Sequence, residues 1–240
     1  MKINSKTCVA ILWLLFLVRG TMHIEILPTL EGFDSIGHID YLQYLRDHDN
    51  TRSLGNMPFS SITVVLLRTL PSNKNLALAA LAEQLSPETY ESYFKKNKQQ
   101  LNQLKVELES LPYTGSKVTY LKNHLNWQDK HPPAYYILVN AIVYCFSPKT
   151  YMEGIFLASV ISLFFLSLTI PALYFIGLRL DRYFAPGNTT FLSLIFPALF
   201  LSQPMIYIFA CRISNDSLVI SALIPRQSLS DNREPLPPVV

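Results

Sequence analysis

Charged side chains are scarce in this sequence, and the scarcity is uneven along the chain. Only 15% of the 240 residues are Asp, Glu, Lys or Arg, against about 25% in an average soluble protein. Residues 131–224 contain seven of these charges, whereas residues 1–130 contain 26. Seven charges are too few to cover the surface of a soluble domain of that length. The composition therefore excludes an ordinary cytosolic enzyme and a disordered chain.

Other absences exclude further classes of protein. The net charge is only +3 and no dense run of Lys or Arg occurs, so the sequence predicts no nucleic-acid partner. Glycine is scarce at eight residues, and there is no glycine-rich phosphate loop, nucleophile elbow or pair of metal ligands, so neither a cofactor nor a metal site is predicted. Cys8, Cys145 and Cys211 lie in apolar runs, where an odd number of cysteines indicates small hydrophobic residues rather than disulfides.

Long apolar runs take the place of the missing charges. Residues 154–178 and 189–211 contain no charge over 25 and 23 positions, which at 1.5 Å of rise per residue is enough to cross a hydrocarbon core of about 30 Å. Residues 131–152 form a weaker candidate, because the apolar centre at 134–146 is too short unless the helix continues to Met152. Pairing of this segment with the next helix is expected.

The amino-terminal apolar run has two interpretations. Lys2 and Lys6 precede the run from Cys8 to Val18, whose length is that of a signal-peptide core. No small-residue cleavage motif follows it, which favours a signal-anchor helix that stays in the membrane with its positive end inside. The predicted fold class is therefore all-α, with about four membrane-spanning helices and a large first extracytoplasmic loop of amphipathic helices. The predicted organisation is a first transmembrane segment (1–30), the loop (31–130), three further spans (131–224) and a disordered or frameshifted tail (225–240).

Within the long loop, several patterns predict helices. Residues 86–88, Ser-Pro-Glu, are typical of a helix start. An apolar face follows, formed by Leu101, Leu104, Leu108 and Leu111. This amphipathic helix either packs on its neighbours or lies on a lipid surface, with lysines 95, 96 and 98 toward the headgroups. Residues 62–70 and 77–85 are candidates for further interfacial helices.

Three short stretches carry the residues suited to chemistry. In the first, a helix beginning near Ser35 has Asp34 at its entry and His38 one turn later. Asp34 either caps that helix or accepts a proton from a sugar or lipid hydroxyl. In the second, His131 is followed by Pro132-Pro133, which suit the opening turn of a helix, and by Tyr135-Tyr136. A histidine and aromatic belt at a membrane interface would have the same composition.

In the third stretch, Arg212, Asn215 and Asp216 interrupt an otherwise apolar run. Ionisable residues at membrane depth are costly and usually face protein or water. If the helix ends near Cys211, however, they are ordinary residues at the end of a span. Both interpretations stay open.

Together and in this order, the three stretches resemble the amino-terminal part of the C-type glycosyltransferase superfamily. These are multi-span membrane enzymes that include the dolichyl-phosphate-mannose protein mannosyltransferases and bacterial relatives. Asp34 and His38 match the family's Asp-Glu and later His of the first loop. Residues 131–136 match its His-Pro-Pro-Leu-Tyr-Tyr, with Ala134 for Leu, and residues 215–218 match its Asn-Asp/Glu-x-Leu.

The resemblance implies transfer of a sugar from a polyprenyl-phosphate donor to an acceptor on the extracytoplasmic face of a bacterial plasma membrane or an endoplasmic reticulum membrane. The lipid bilayer and the lipid-linked sugar are then the partners. Asp34 is the implied general base, and the implied substrate-binding residues are His38, His131, Arg212, Asn215 and Asp216. Ser35 stands where the family usually has Glu, which removes a carboxylate that would orient an acceptor or a divalent metal.

The last residues leave a second hypothesis open. Members of this family have many more spans, and the apolar run before the proline-rich tail at 225–240 stops after about two helical turns. We expect either a truncated gene product with a shifted frame or a short disordered tail. The alternative to an enzyme is accordingly a catalytically inactive, truncated or accessory membrane protein that keeps the scaffold. A transporter is less favoured, because no inverted repeat is visible.

Overall fold

The computed structural model describes residues 4–30, 34–49, 57–72, 88–113, 118–184, 191–210, 212–214, 216–218 and 220, and these are mostly helical. Their α-helices are α1 (Ser5–Ile26), α2 (Ser35–Asp47), α3 (Ser61–Thr69), α4 (Tyr90–Phe94), α5 (Lys98–Ser110), α6 (Ala134–Cys145), α7 (Tyr151–Ser167), α8 (Thr169–Phe184), α9 (Phe191–Ser202) and α10 (Pro204–Ala210). A 3-10 helix covers Trp127–Lys130, and strands β1 (Pro58–Ser60) and β2 (Tyr120–Leu125) pair in antiparallel fashion. The expected helical character is therefore confirmed for the described residues, and this small two-stranded sheet, which was not predicted, is added to it.

The chain divides into two compact units. Unit 1 comprises Met1–His23, Ser162–Cys211 and Asp216–Val240, and unit 2 comprises Ile24–Ile161 and Arg212–Asn215. In unit 1, α8 and α9 approach closely at Gly177, where an added Cβ would lie 2.4 Å from the Cα of Ser193. The carboxylate of Asp181 accepts hydrogen bonds from the backbone N–H groups of Leu192 (2.9 Å) and Ser193 (3.0 Å). These bonds satisfy donors that the first turn of a helix leaves without partners.

Aromatic side chains fix α1 within unit 1. Phe16 is fully buried, with its ring centroid 5.9 Å from that of Phe200 and 5.3 Å from that of Tyr207. The indole N–H of Trp13 donates to the hydroxyl of Ser167 at 2.8 Å. Val9, Phe16 and Gly20 are the buried residues of α1, and its other residues are half-buried or exposed.

Unit 2 is organised around α2. This helix packs against α6 and against the 3-10 helix, while α3 packs against α5. In the sheet, Pro58 lies opposite Leu125 and Ser60 lies opposite Tyr120, with an irregular register between the two pairs. Ser60 ends β1 and caps α3, because its hydroxyl accepts a hydrogen bond from the backbone N–H of Thr63. One serine thus joins the strand to the helix.

Two helical stretches are long and apolar enough to cross a membrane, judged by length and composition. One is α1, and the other is the 34-residue stretch Tyr151–Phe184, in which only Leu168 separates α7 from α8. The predicted span at 131–152 does not form one helix, because α6 ends at Cys145 and Ser147 has a φ of 49°. The predicted span at 189–211 is divided at Gln203, since Pro204 cannot donate to the preceding turn.

In the long loop, three leucines of the predicted face, Leu101, Leu104 and Leu108, lie in α5, whereas Leu111 follows its last residue as the C-cap; all four are half-buried. Packing of α5 against α3 favours the interpretation of a helix resting on its neighbours. The predicted helix start at 86–88 is displaced: α4 begins after Thr89, which forms a reciprocal capping box with Ser92. Residues 62–70 form α3 up to Thr69, whereas Ser86, Pro87, residues 77–85 and the tail at 225–240 lie outside the described residues.

Candidate functional site

Asp34 is the residue before the first turn of α2, and its carboxylate does not cap the helix. Asp34 has a φ of 57°, a left-handed conformation that Asp tolerates better than most residues. Its side chain makes no hydrogen bond to the free N–H groups of α2, so the capping interpretation is wrong. Its backbone carbonyl accepts a hydrogen bond from the N–H of His38 at 3.1 Å. The half-buried carboxylate of Asp34 therefore lies beside the first turn of α2 but does not cap the helix, which is the usual role of an Asp at this position.

His38 is buried and bonded to the second stretch. Its Nδ1 lies 2.6 Å from the hydroxyl of Tyr136 on α6, and the two rings are stacked with centroids 5.9 Å apart. Burial, followed by the charge of His131, lowers the pKa of His38 to about 3. The imidazole is thus neutral at physiological pH, with one ring nitrogen donating and the other accepting.

Contacts of its backbone hold His131 in position. Its carbonyl accepts a hydrogen bond from the hydroxyl of Tyr41 at 3.3 Å, and its ring centroid is 6.1 Å from that of His38. The extended conformation predicted for a residue before proline is confirmed, with φ −75° and ψ 147°. The predicted helix start at the two prolines is also confirmed, since the N–H of Ile137 bonds to the carbonyl of Pro133 at 2.9 Å.

The beginning of the third stretch is bonded to the second. The backbone N–H of Ser214 donates to the hydroxyl of Tyr135 at 3.2 Å, and the guanidinium of Arg212 donates to the carbonyl of Pro28. Both Arg212 and Ser214 are buried. Asn215 lies outside the described residues, and Asp216 is exposed and assigned to unit 1. The preceding helix α10 ends at Ala210, as the end-of-span interpretation requires, and Arg212 is a buried, hydrogen-bonded residue of unit 2.

The two consecutive tyrosines join all three stretches. Tyr136 contacts His38 of the first stretch, and Tyr135 contacts Ser214 of the third. Both tyrosine side chains are buried, so their hydroxyl groups need these partners. We call Tyr135, Tyr136, His38 and Ser214 the tyrosine junction.

A carboxylate that the sequence analysis did not single out lies at the centre of unit 2. Asp40 is fully buried, and its Oδ1 accepts hydrogen bonds from the N–H (2.9 Å) and hydroxyl (2.6 Å) of Ser60 and from the hydroxyl of Thr63 (2.5 Å). Its Oδ2 accepts one from the side-chain amide of Asn126 at 3.2 Å. Burial raises the pKa of Asp40, and these four donors oppose that rise. The signal available in the sequence was a lone carboxylate between two apolar residues of a predicted helix.

Asn126 also fixes the segment that leads to His131. Its amide donates to the carbonyl of Gly37 at 2.8 Å, and its Oδ1 accepts from the backbone N–H of Gln128 at 2.9 Å. A Cβ on Gly37 would lie 2.8 Å from the Cγ of Gln128 and 3.1 Å from the Oδ1 of Asn126, so a larger residue here would force these side chains to move. Asp40 and Asn126 together therefore set the separation between the first two stretches.

Among the described residues, no group of three or more His, Cys, Asp or Glu side chains is placed to hold a metal ion. Comparisons of the chain with known family models, curated proteins and solved structures find no match. The resemblance to a glycosyltransferase family therefore rests on the residues of the three stretches and not on any of these comparisons.

Proposed function

We propose that this chain is a membrane glycosyltransferase, or the amino-terminal part of one, that transfers a sugar from a polyprenyl-phosphate donor to an acceptor on the extracytoplasmic face. The observation that carries the proposal is the tyrosine junction. Stretches that are far apart in the sequence, and that match the family only in combination, contact one another through two adjacent residues of α6.

The proposed membrane placement has α1, the stretch Tyr151–Phe184 and the pair α9–α10 as spans. The first two have the required length and apolar composition. The 12 residues of α6 are too short to cross a hydrocarbon core of about 30 Å, so α6 is not proposed as a separate span. Exposed apolar side chains on α1 include Leu14, which is 61% exposed, and Leu15, which is 55% exposed. Such a surface is stable against acyl chains and unfavourable in water.

In the proposed reaction, Asp34 acts as the general base. Its carboxylate takes the proton of the acceptor hydroxyl while that oxygen bonds to the anomeric carbon of the sugar. The bond from the anomeric carbon to the phosphate oxygen breaks, and polyprenyl phosphate leaves with the electron pair. Support for this role comes from the half-buried carboxylate that makes no capping bond to α2.

The donor-binding roles fall to the other residues of the three stretches. His38 is neutral and offers a ring nitrogen to a sugar hydroxyl. Arg212 has the planar set of donors that suits a phosphate. His131 lies beside His38. For Asn215 and Asp216, the proposed role in donor binding rests on the family resemblance alone.

A transfer assay with membranes containing the full chain tests the proposal. Polyprenyl-phosphate-linked hexoses are supplied as donors, and labelled sugar in the acceptor fraction is measured. We expect Asp34→Asn to lower transfer by about two orders of magnitude or more. Asp49→Asn is the matched control, because Asp49 is exposed and also has a positive φ, at the opposite end of α2. Equal activity of the wild type and Asp34→Asn would refute the base assignment.

The alternative is a catalytically inactive, truncated or accessory membrane protein. The burial of His38 and Tyr136 favours it, because two buried, mutually bonded side chains also serve as a scaffold. The same assay separates the two functions. A wild-type chain that is folded and membrane-inserted but transfers no sugar from any donor of the panel supports the scaffold.

A further inference from the structure

A cluster of basic and aromatic side chains lies in unit 1 and shares no residue with the tyrosine junction of unit 2. The guanidinium carbon of Arg19 lies 4.1 Å from the ring centroid of Tyr207, and the His23 ring is stacked on the same tyrosine at 5.1 Å. Arg19 and His23 are one turn apart on α1 and therefore share a face. Tyr207 is fully buried, and its hydroxyl donates to the carbonyl of Leu201 at 3.1 Å. The tyrosine is thus a fixed support for both basic side chains.

The guanidinium of Arg19 keeps its hydrogen-bonding edge available. A cation held over an aromatic ring is attracted by the negative face of the ring, and this contact leaves N–H donors of the guanidinium for hydrogen bonds. Among the described residues, the ion pairs do not include Arg19, and its side chain is exposed. A planar set of donors without a carboxylate partner is suited to an oxyanion such as phosphate.

The hydrogen bond of His23 defines which of its ring nitrogens carries a proton. Its Nδ1 lies 2.8 Å from the backbone carbonyl of Arg19. A carbonyl only accepts hydrogen bonds, so Nδ1 carries the proton and donates. Nε2 is the other polar atom of the ring, and it donates a hydrogen bond to a phosphate oxygen only when the ring is the doubly protonated imidazolium.

The neighbouring surface is apolar, which narrows the class of ligand. Leu15, Val18 and Met22 are each more than half exposed. Leu15 and Met22 lie one turn from Arg19 on α1, and Val18 directly precedes it. A charged group among exposed apolar side chains is expected where acyl chains give way to headgroups. Arg19 is seven residues from the end of α1, roughly 10 Å along the axis, which brings a long side chain within reach of that level.

We propose that Arg19 and His23, supported by Tyr207, bind the phosphate of an anionic phospholipid headgroup while the adjacent side chains of α1 contact its acyl chains. The site depends on the membrane placement proposed above and not on sugar transfer. Its ligand is a lipid of the bilayer rather than soluble phosphate, because the anion-binding donors and the apolar surface are contiguous on one helix.

Lipid binding to the purified full chain, measured by native mass spectrometry in detergent, tests the inference. Phosphatidylglycerol and phosphatidylcholine are titrated separately, with no sugar donor present. The wild type should prefer phosphatidylglycerol. We expect Arg19→Gln to lower its apparent affinity for phosphatidylglycerol roughly tenfold, and Arg19→Lys, which keeps the charge but not the planar donors, to have a smaller effect.

Two controls make the result specific. Arg182→Gln removes an exposed arginine of the same unit, near the end of α8, and should leave the lipid preference unchanged. Asp34→Asn should bind lipid like the wild type, so that failure of the enzymatic proposal and failure of this one are distinguishable.

Two outcomes would overturn the lipid site. One is equal affinity of the wild type and Arg19→Gln for phosphatidylglycerol. The other is Arg19-dependent binding of inorganic phosphate without any preference between the two lipids, which would identify a site for a soluble anion.

Discussion

Nδ1 of His38 and the hydroxyl oxygen of Tyr136 lie 2.6 Å apart although 98 positions of the chain separate the two residues. The adjacent Tyr135 bonds to Ser214, a further 79 positions along. Successive residues of an α-helix point in directions about 100° apart, so neighbouring side chains of α6 can reach partners on different sides. The arrangement makes the first turns of α6 the place where three distant stretches of the chain meet.

Removal of one hydroxyl from the tyrosine junction should weaken the fold measurably. We expect Tyr136→Phe to lower the free energy of unfolding by about 1–2 kcal/mol, because it leaves a buried ring nitrogen of His38 without its partner. Denaturant titration in detergent micelles, followed by tryptophan fluorescence, measures the change. Tyr144→Phe is the matched control, since Tyr144 is on the same helix and 71% exposed. Identical unfolding midpoints for the two variants would contradict the role given to the junction.

Stability should fall in mild acid because of His38. The unfolded chain takes up a proton near the ordinary pKa of 6.5, whereas the folded His38 stays neutral until about pH 3. Below pH 6.5 the unfolded state therefore binds more protons, and the free energy of unfolding decreases as the pH falls. We expect a loss of about 2 kcal/mol from this residue between pH 7 and pH 5.

His38→Gln should show a shallower pH dependence than the wild type over that interval, when both are unfolded by denaturant at a series of pH values. His131→Gln serves as the comparison, because it removes a half-buried histidine of the same site and should keep most of the slope. An unchanged slope in His38→Gln would show that His38 is not the group responsible.

Replacement of Asp40 should be among the most damaging changes in unit 2. Asp40→Ala leaves the hydroxyls of Ser60 and Thr63 and the amide of Asn126 without their shared acceptor, so we expect a loss of roughly 3 kcal/mol. Asp40→Asn keeps Oδ1 but sets an NH2 group against the amide of Asn126, and a smaller loss is expected.

In a Trp13→Phe background, which leaves Trp127 as the one tryptophan of the sequence, fluorescence gives a local measurement for these variants, because Trp127 follows Asn126 in the chain and packs edge-on against Phe59 at 5.8 Å. Both Asp40 variants should change its emission before global unfolding. Asp49 is exposed, so Asp49→Asn should leave the emission unchanged and should change the free energy of unfolding by no more than about 0.5 kcal/mol. Wild-type emission in Asp40→Ala would argue against the link from Asp40 to this segment.

Replacement by alanine should lower the stability by different amounts at two glycines of unit 1. At Gly177 an added Cβ would lie 2.4 to 2.6 Å from backbone atoms of Leu192 and Ser193, which cannot move without displacing α9. At Gly20 the nearest atoms belong to the side chain of Leu163, which can change rotamer. We expect Gly177→Ala to cost about 2–3 kcal/mol and Gly20→Ala to cost less. Thermal unfolding in detergent ranks the two, and the reverse order would contradict the close approach of α8 and α9.

The sequence predicted the helices that depend on local signals. The apolar runs gave most of α1, α7 and α8, and the leucine spacing gave α5, because a period of 3.6 residues is a property of neighbouring positions. Pro132-Pro133 marked the start of α6 correctly for the same reason. The end of α6 at Cys145 was missed, since its apolar centre extends to Phe146 and the left-handed Ser147 has no distinctive residue type. The sheet was missed because β1 and β2 acquire their pairing only from each other.

For the candidate site, the sequence by itself determined which stretches carry suitable chemistry, including Asp34, His38 and His131. Only the tertiary structure decided what each residue does. It showed that Asp34 does not cap α2, that His38 is buried and neutral, and that Asp40 is the hydrogen-bonded carboxylate at the centre of unit 2. Burial and hydrogen bonding depend on partners 20 to 98 positions away. Residue type and local spacing carry no information about which distant partner a polar group will meet, and that meeting sets its protonation and its role.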